Sequence, residues 1–200
     1  KMIFFIDDVN MPQLDGTVHN HLVNFQVAID QSGFYDTKKL IFKQIKDTRF
    51  VCACAPPSGG RNAVTPRLFR HFNMIWVPDL SEHSMRTIFS SILRGFLELD
   101  EASGLSIYAD PIIKASVDLY YRTIADFLPT PAKCHYTFNL RDLSKVVQGI
   151  LMIKLEDLQS KDTLVYLWVH ETFRVFRDRL VDPADRAKFS KLAHGRLETY

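Results

Sequence analysis

The chain has 200 residues, 46% hydrophobic and 24% charged, with 8 glycines and 9 prolines, and 25 Lys and Arg nearly balance 23 Asp and Glu at a net +2. This is ordinary globular composition, which excludes disordered, collagen-like and low-complexity classes, and the charge is too even for a protein that coats nucleic acid or an anionic membrane. Three cysteines, Cys52, Cys54 and Cys134, make no disulfide framework, and no apolar run approaches the ~20 residues of a bilayer span, so the expectation is a soluble intracellular protein.

Residues 2–6, Met-Ile-Phe-Phe-Ile, form a continuous apolar run stopped by Asp7 and Asp8. Such a run predicts a strand buried on both faces of a parallel sheet. It has no lead-in, which implies a longer parent with elements upstream. Residues 18–31 carry Val18, Leu22, Phe25 and Ile29 at helical spacing, with Gly33 as the expected helix stop. Residues 40–45 alternate weakly between lysine-rich flanks, as an exposed hairpin arm does. Residues 49–55 predict a second buried strand ended by Pro56-Pro57, residues 66–71 a short helix, and Met74-Ile75-Trp76-Val77 a third strand ended by Pro78.

Beyond residue 80 the spacing turns helical throughout, which divides the chain into 1–78 and 79–200. Met85, Ile88, Phe89, Ile92, Leu93 and Phe96 make one apolar stripe; Ile113, Val117, Tyr120, Tyr121 and Ile124 make the next, behind an expected Asp110 cap and Pro111. Asn139 is the expected cap of a helix carrying Leu143, Val147 and Ile150. Residues 164–180 predict a further helix, and Asp182-Pro183 opens the last of about five.

An apolar strand ending in two acids is the Walker B pattern, because a carboxylate at the C-terminal edge of a parallel strand faces the crevice where ligands sit. In phosphate-binding ATPases the first acid holds Mg²⁺, directly or through water, and the second polarises the attacking water. The alternative is a strand simply leaving the core. None of the glycines opens a Gly-x-x-x-x-Gly-Lys-Ser/Thr loop, so either the acids are structural or the phosphate loop lies upstream.

Phe4-Phe5-Ile6-Asp7-Asp8-Val9-Asn10-Met11-Pro12, Gly33-Phe34-Tyr35-Asp36 and the run from Ala53-Cys54-Ala55-Pro56-Pro57-Ser58-Gly59-Gly60-Arg61-Asn62 through Thr65-Pro66-Arg67-Leu68-Phe69-Arg70-His71-Phe72 resemble the third AAA+ module of a dynein heavy chain of axonemal type. Tyr136-Thr137-Phe138-Asn139-Leu140-Arg141-Asp142-Leu143 and the stretch from Leu167-Trp168-Val169-His170-Glu171 to Leu180 extend the likeness over nearly the whole chain. The resemblance implies an α/β fold: the C-terminal part of a AAA+ parallel-sheet large subdomain over residues 1–78, then an all-helical lid subdomain over 79–200. It implies ATP or ADP with Mg²⁺ as cofactors of the complete module, Asp7 as the magnesium acid and Asp8 in the general-base position. Aspartate there is one methylene shorter than the usual glutamate, which points to slow or absent hydrolysis. Ala55 falls where related modules carry the polar sensor 1 residue. Arg67, with Arg70 as second candidate, matches the arginine finger toward the neighbouring module, and Arg141 matches sensor 2.

The implied partners are the neighbouring AAA+ modules and, through other parts of the parent chain, dynein intermediate and light chains and microtubules; no nucleic acid or membrane is implied. The implied location is the cytoplasm and cytoskeleton, in a cilium's axoneme for the axonemal type. Without a phosphate loop the 200 residues alone are expected to be inactive as an ATPase. The competing class is a structural or interaction module of the ring with no hydrolysis; a nucleic-acid remodelling ATPase is disfavoured by the charge balance.

Other signals are discounted. His170-Glu171 is followed by Arg174 where a zinc-protease motif needs a second His. Cys52 and Cys54 read as buried core thiols, Trp76 and Trp168 as core, and His19 and His21 as solvent-facing.

Overall fold

The computed structural model describes residues 1–12, 21–57, 61–99, 104–158 and 160–197. It contains two compact units, Lys1–Pro78 and Asp79–Tyr200.

In the first unit β1 (Met2–Ile6) pairs in parallel with β4 (Thr48–Cys52), Met2 opposite Thr48 and Ile6 opposite Cys52. The crossover runs through α1 (His21–Asp30) and an antiparallel hairpin of β2 (Gly33–Tyr35) and β3 (Phe42–Gln44). Asp36 builds the hairpin turn. Its Oδ1 accepts from the backbone N–H of Lys38 at 2.9 Å and Lys39 at 3.1 Å, and its Oδ2 pairs with Lys43 Nζ at 2.6 Å. The Lys43 ammonium, with those two N–H groups, holds the Asp36 carboxyl below its usual range. A short helix, α2 (Pro66–Phe69), follows with Leu68 buried. Val9, Leu22 and Leu68 make a small core, with Ile6, Phe25, Ile29, Cys52, Val64 and Phe72 packed on it.

Several expectations for this unit are corrected. β1 is not buried on both faces. Phe25 of α1 meets Phe50 edge to face at 5.1 Å, and Phe50 stacks on Phe4; the opposite face, Ile3, Phe5 and Val51, is exposed. Among the described residues β4 is β1's only strand neighbour and nothing covers that second face. Residues 74–77 form no strand, because no described strand offers them a ladder; Ile75 and Trp76 stand 87% and 85% exposed, so Trp76 is not core. Gly33 does not stop α1. Ser32, at φ 52°, takes the left-handed turn, and Gly33 opens β2, where a Cβ would come within 2.5 Å of the Lys43 carbonyl and the Phe42 ring. Cys54 and Cys134 are exposed and Cys52 is half-buried. His19 lies outside the described residues, and His21 opens α1.

The second unit is helical: α3 (Glu82–Leu97), α4 (Ala109–Asp126), α5 (Leu140–Leu151), α6 (Lys161–Val175) and α7 (Pro183–Leu197), with single 3₁₀ turns at Leu105–Tyr108, Leu155–Asp157 and Arg177–Arg179. Its apolar stripes close on one core that includes Leu93, Leu119, Leu143, Ile150, Leu164 and Trp168. The Trp168 indole N–H donates to Ser116 Oγ at 2.7 Å, and that hydroxyl donates to the Ile112 carbonyl, so these two buried polar groups are paired. Ile88 and Ile92 lie at the exposed margin of the α3 stripe.

Asp110 does not cap α4. A 3₁₀ turn from Leu105 leads straight into Ala109, which leaves Pro111 in the first turn, where its missing N–H is harmless; the Asp110 carboxylate pairs with Arg94 instead. The helix expected over 164–180 ends at Val175, with the 3₁₀ turn completing the stretch.

Candidate functional site

The acids sit where β1 leaves its ladder. Beyond Ile6 the chain stays beside β4, because Ala53 N–H donates to the Ile6 carbonyl at 2.9 Å and Val9 N–H to the Ala53 carbonyl at 3.0 Å. Asp7 and Asp8 therefore fall at the C-terminal edge of the parallel pair, in a turn where Asp8 takes φ 47°. Aspartate is one of the few residues that accept the left-handed region at modest cost. Asp8 N–H donates to Asp7 Oδ1 at 3.0 Å, which fixes one Asp7 oxygen; the other has no partner among the described residues.

Asn10 anchors the turn. It is 1% exposed, and its Nδ2 donates to the carbonyls of Ala55 at 2.8 Å and Asn62 at 3.0 Å, while its own carbonyl accepts from Asn62 N–H at 2.9 Å. Asn62 Nδ2 donates onward to the Pro12 carbonyl at 2.7 Å. The segment after β4 is thus laced to the segment after β1. That lacing delivers Arg61, whose Nε and one terminal nitrogen both lie 3.0 Å from Asp8 Oδ1. Ala55 contributes its backbone carbonyl to Asn10, and its methyl side chain carries no polar group.

The other arginines differ in freedom. Arg67, in the last turn of α2, is exposed and has no ion pair or hydrogen bond from its guanidinium among the described residues. Arg70 is engaged within its own unit: it donates to Asp30 Oδ1 at 2.7 Å, and His71 Nε2 lies 2.8 Å from the same oxygen. The Arg70 hydrogen bond holds the Asp30 carboxyl below its usual range against a smaller opposing effect of desolvation.

In the helical unit Arg141 occupies the first turn of α5. Asn139 Oδ1 accepts from Arg141 N–H at 3.0 Å, and Asp142 Oδ2 accepts from Asn139 N–H at 3.1 Å, a complete capping box. Asp142 is buried and also takes Arg179 at 2.8 Å; Arg179 lies over the Phe138 ring and donates to the carbonyls of His135 and Thr137. With its backbone held this way, the Arg141 side chain projects exposed with no partner among the described residues.

An oxygen-bearing group at the end of a parallel strand fits Mg²⁺, whose shell in nucleotide sites is mostly water and phosphate with one or two protein carboxylates. Asp7, with one unengaged oxygen, has that character. Among the described residues no group of three or more His, Cys, Asp or Glu is placed to hold a metal by itself. Glu171, set aside as a metal ligand, is instead buried where α6 crosses Gly149, with Arg174 donating to its Oε2 at 2.9 and 2.6 Å. Arg61, Asn10 and Arg179 are the site residues that the sequence reading missed. Arg61-Asn62 lies inside the quoted motif, but a linear pattern does not reveal which acid an arginine 53 positions away will meet.

Two family models match the chain. Residues 1–80 match the P-loop containing dynein motor region, and residues 88–186 match the dynein heavy chain ATPase lid domain. The chain is therefore a AAA dynein motor region followed by its lid. Human dynein axonemal heavy chain 6 is 46% identical over 190 residues, covering 94% of this chain and 4% of the relative. Mouse dynein axonemal heavy chain 1 is 42% identical over 213 residues, covering 100% of this chain and 5% of the relative, and rat dynein axonemal heavy chain 12 is 41% identical over 188 residues, covering 93% and 6%. The chain belongs to the axonemal dynein heavy chain family, and it spans a small fraction of the length of these relatives.

Proposed function

We propose that these residues are the later part of the third AAA+ module of a dynein motor ring, with residues 1–78 in the large subdomain and 79–200 as the lid. The module couples ATP or ADP occupancy to ring conformation during microtubule-based movement in the axoneme. Asp7 holds Mg²⁺, directly or through water; Asp8 stands in the general-base position; Arg141 reads the phosphates from the lid; and Arg67 reaches the nucleotide of the neighbouring module. Arg70, paired with Asp30, is the less available finger. The ring partners are the neighbouring modules of the same heavy chain, with intermediate and light chains and microtubules engaged elsewhere in it. Among the described residues no helix is long and apolar enough to cross a membrane.

The observation that carries this reading is the position of Asp7 at the C-terminal edge of a parallel strand with one oxygen unengaged. The test is fluorescent ATP and ADP binding with Mg²⁺ in the heavy chain that contains these residues, beside Asp7→Ala and Arg141→Ala. Loss of a hydrogen bond to a charged group predicts affinities at this module weaker by about tenfold or more. Affinities equal to the parent in both variants would overturn the reading. A second reading, a ring module that binds without hydrolysing or only fills space, is favoured by the Arg61 contact on Asp8 and by the apolar side chain of Ala55.

A further inference from the structure

Asp8 is the one acid of the site held by a cation from another segment. Arg61 places two N–H donors on the same oxygen, Oδ1, each at 3.0 Å. The contact is built from both sides. On one side Asp8 takes a left-handed backbone where the chain leaves β1; on the other, Asn10 and Asn62 cross-link the two segments, with Asn62 adjacent to Arg61. Among the described residues Asn10 Oδ1 is buried with no partner, so the anchor is held at the cost of an unsatisfied acceptor there.

We propose that Arg61 is a positioning residue that latches Asp8, holding its carboxylate on the guanidinium and off the water that would attack a bound nucleotide. This rests on the nucleotide role proposed above. A carboxylate accepting a proton from water must present a lone pair to it. Here both Arg61 contacts fall on Oδ1 and leave Oδ2 open, so the pair fixes the direction in which the carboxylate faces, and Asp8 must break or share it to turn. The pair is partly exposed, 31% for Arg61 and 29% for Asp8, so its hold is modest. Slow turnover then has a cause beyond the shorter side chain: the base is held in one orientation.

The test is a double-mutant cycle in the full heavy chain, in a background where hydrolysis by the other modules is abolished so that phosphate release reads this module alone: parent, Arg61→Ala, Asp8→Asn and the double variant, with Arg61→Lys as the conservative change. Asparagine keeps the left-handed backbone of Asp8 accessible. The latch predicts that Arg61→Ala raises the module's kcat by about two- to fivefold, the range for a partly exposed ion pair, with nucleotide affinity unchanged and no rise in the Asp8→Asn background. Arg61→Lys, which keeps the charge without the fork, falls between. Apart from activity, modification of Arg61 by phenylglyoxal, mapped by mass spectrometry, should be slow in the parent and faster in Asp8→Asn. A fall in kcat on Arg61→Ala, a rise that persists without the Asp8 carboxylate, or equal Arg61 modification in parent and Asp8→Asn would overturn the latch. Intact nucleotide binding that Asp7→Ala weakens, with no Asp8-dependent gain, overturns the latch alone. Nucleotide binding indifferent to Asp7→Ala and Arg141→Ala defeats the nucleotide reading and the latch with it.

Discussion

The two units treat apolar residues in opposite ways. The helical unit, Asp79–Tyr200, turns each stripe inward onto one continuous core, and its buried polar atoms at Trp168 and Ser116 are paired. Among the described residues the first unit buries three apolar side chains, Val9, Leu22 and Leu68, and leaves one face of its two-stranded sheet, with residues 74–77, open to solvent. Burial contributes roughly 25 cal/mol per Å² of apolar surface, so the helical unit holds most of the chain's own stability. The strand residues of the first unit have the sequence of a core without its contacts. What they position instead is polar: a turn of two acids, an asparagine anchor and an arginine.

Truncation at matched depth in sequence but not in burial gives the largest separation between the units. Leu143→Ala removes a side chain with 0% exposure and should destabilise the helical unit by about 2–5 kcal/mol. Phe5→Ala, at 65% exposure, should stay within about 0.5 kcal/mol of the parent in urea unfolding of the same chain. Equal losses at both positions would mean that the open face of β1 is covered in solution.

A smaller effect sharpens the comparison at the two polar anchors. Asp142→Ala removes a helix cap and the one carboxylate on Arg179 among the described residues, and the helical unit should lose about 2–3 kcal/mol. The same substitution should weaken nucleotide binding through Arg141, whose backbone the cap holds, if the sensor role is correct. Retention of full stability by circular dichroism melting would show that Arg179 and the Asn139 carbonyl-side contacts suffice without the carboxylate.

How much was legible follows the same division. Helical spacing exposed α3 to α7 because each stripe meets its partners within the same unit, so local pattern and tertiary contact agree. The Asn139 cap was readable since a capping box is local in sequence. The strands misled: an apolar run says that a residue can be buried, while Ile3, Ile75 and Trp76 are exposed because the neighbours that would cover them are not among the described residues. Asp110 misled for a different reason, since the 3₁₀ turn at Leu105–Tyr108 starts the helix one step early and frees the acid for Arg94. At the site, Asp7 and Asp8 stood out by their place after the strand, whereas the Arg61–Asp8 pair depends on a register set by Asn10 and Asn62, which no spacing rule reports.

The smallest predicted effect is a pH dependence confined to the helical unit. Lys133 Nζ lies 2.5 Å from Asp182 and 2.6 Å from Asp185, and Tyr136 donates its hydroxyl to Asp185 while accepting from Val181 N–H. The Lys133 hydrogen bond holds the Asp185 carboxyl below its usual range, with Tyr136 and the more distant Lys188 charge adding to it, while Asp182 and then Asp185 push the Lys133 ammonium above its own. A depressed carboxyl pKa contributes stability that is fully present above the unfolded value, about 3.9, and is lost as pH falls through the folded value. A raised ammonium pKa contributes below about 10.4 and is lost as pH rises through its folded value. Between these limits the Lys133–Asp185 pair stays charged. Lys133→Met should therefore lower stability at pH 7, and its deficit against the parent should shrink at pH 3, below the unfolded carboxyl value, where the stabilisation tied to the depressed Asp185 carboxyl is being lost. Urea unfolding at the two pH values checks this. A deficit of the same size at pH 3 would assign the role of Lys133 to its cation over the Tyr136 ring, 5.3 Å from the centroid, and not to the carboxylates.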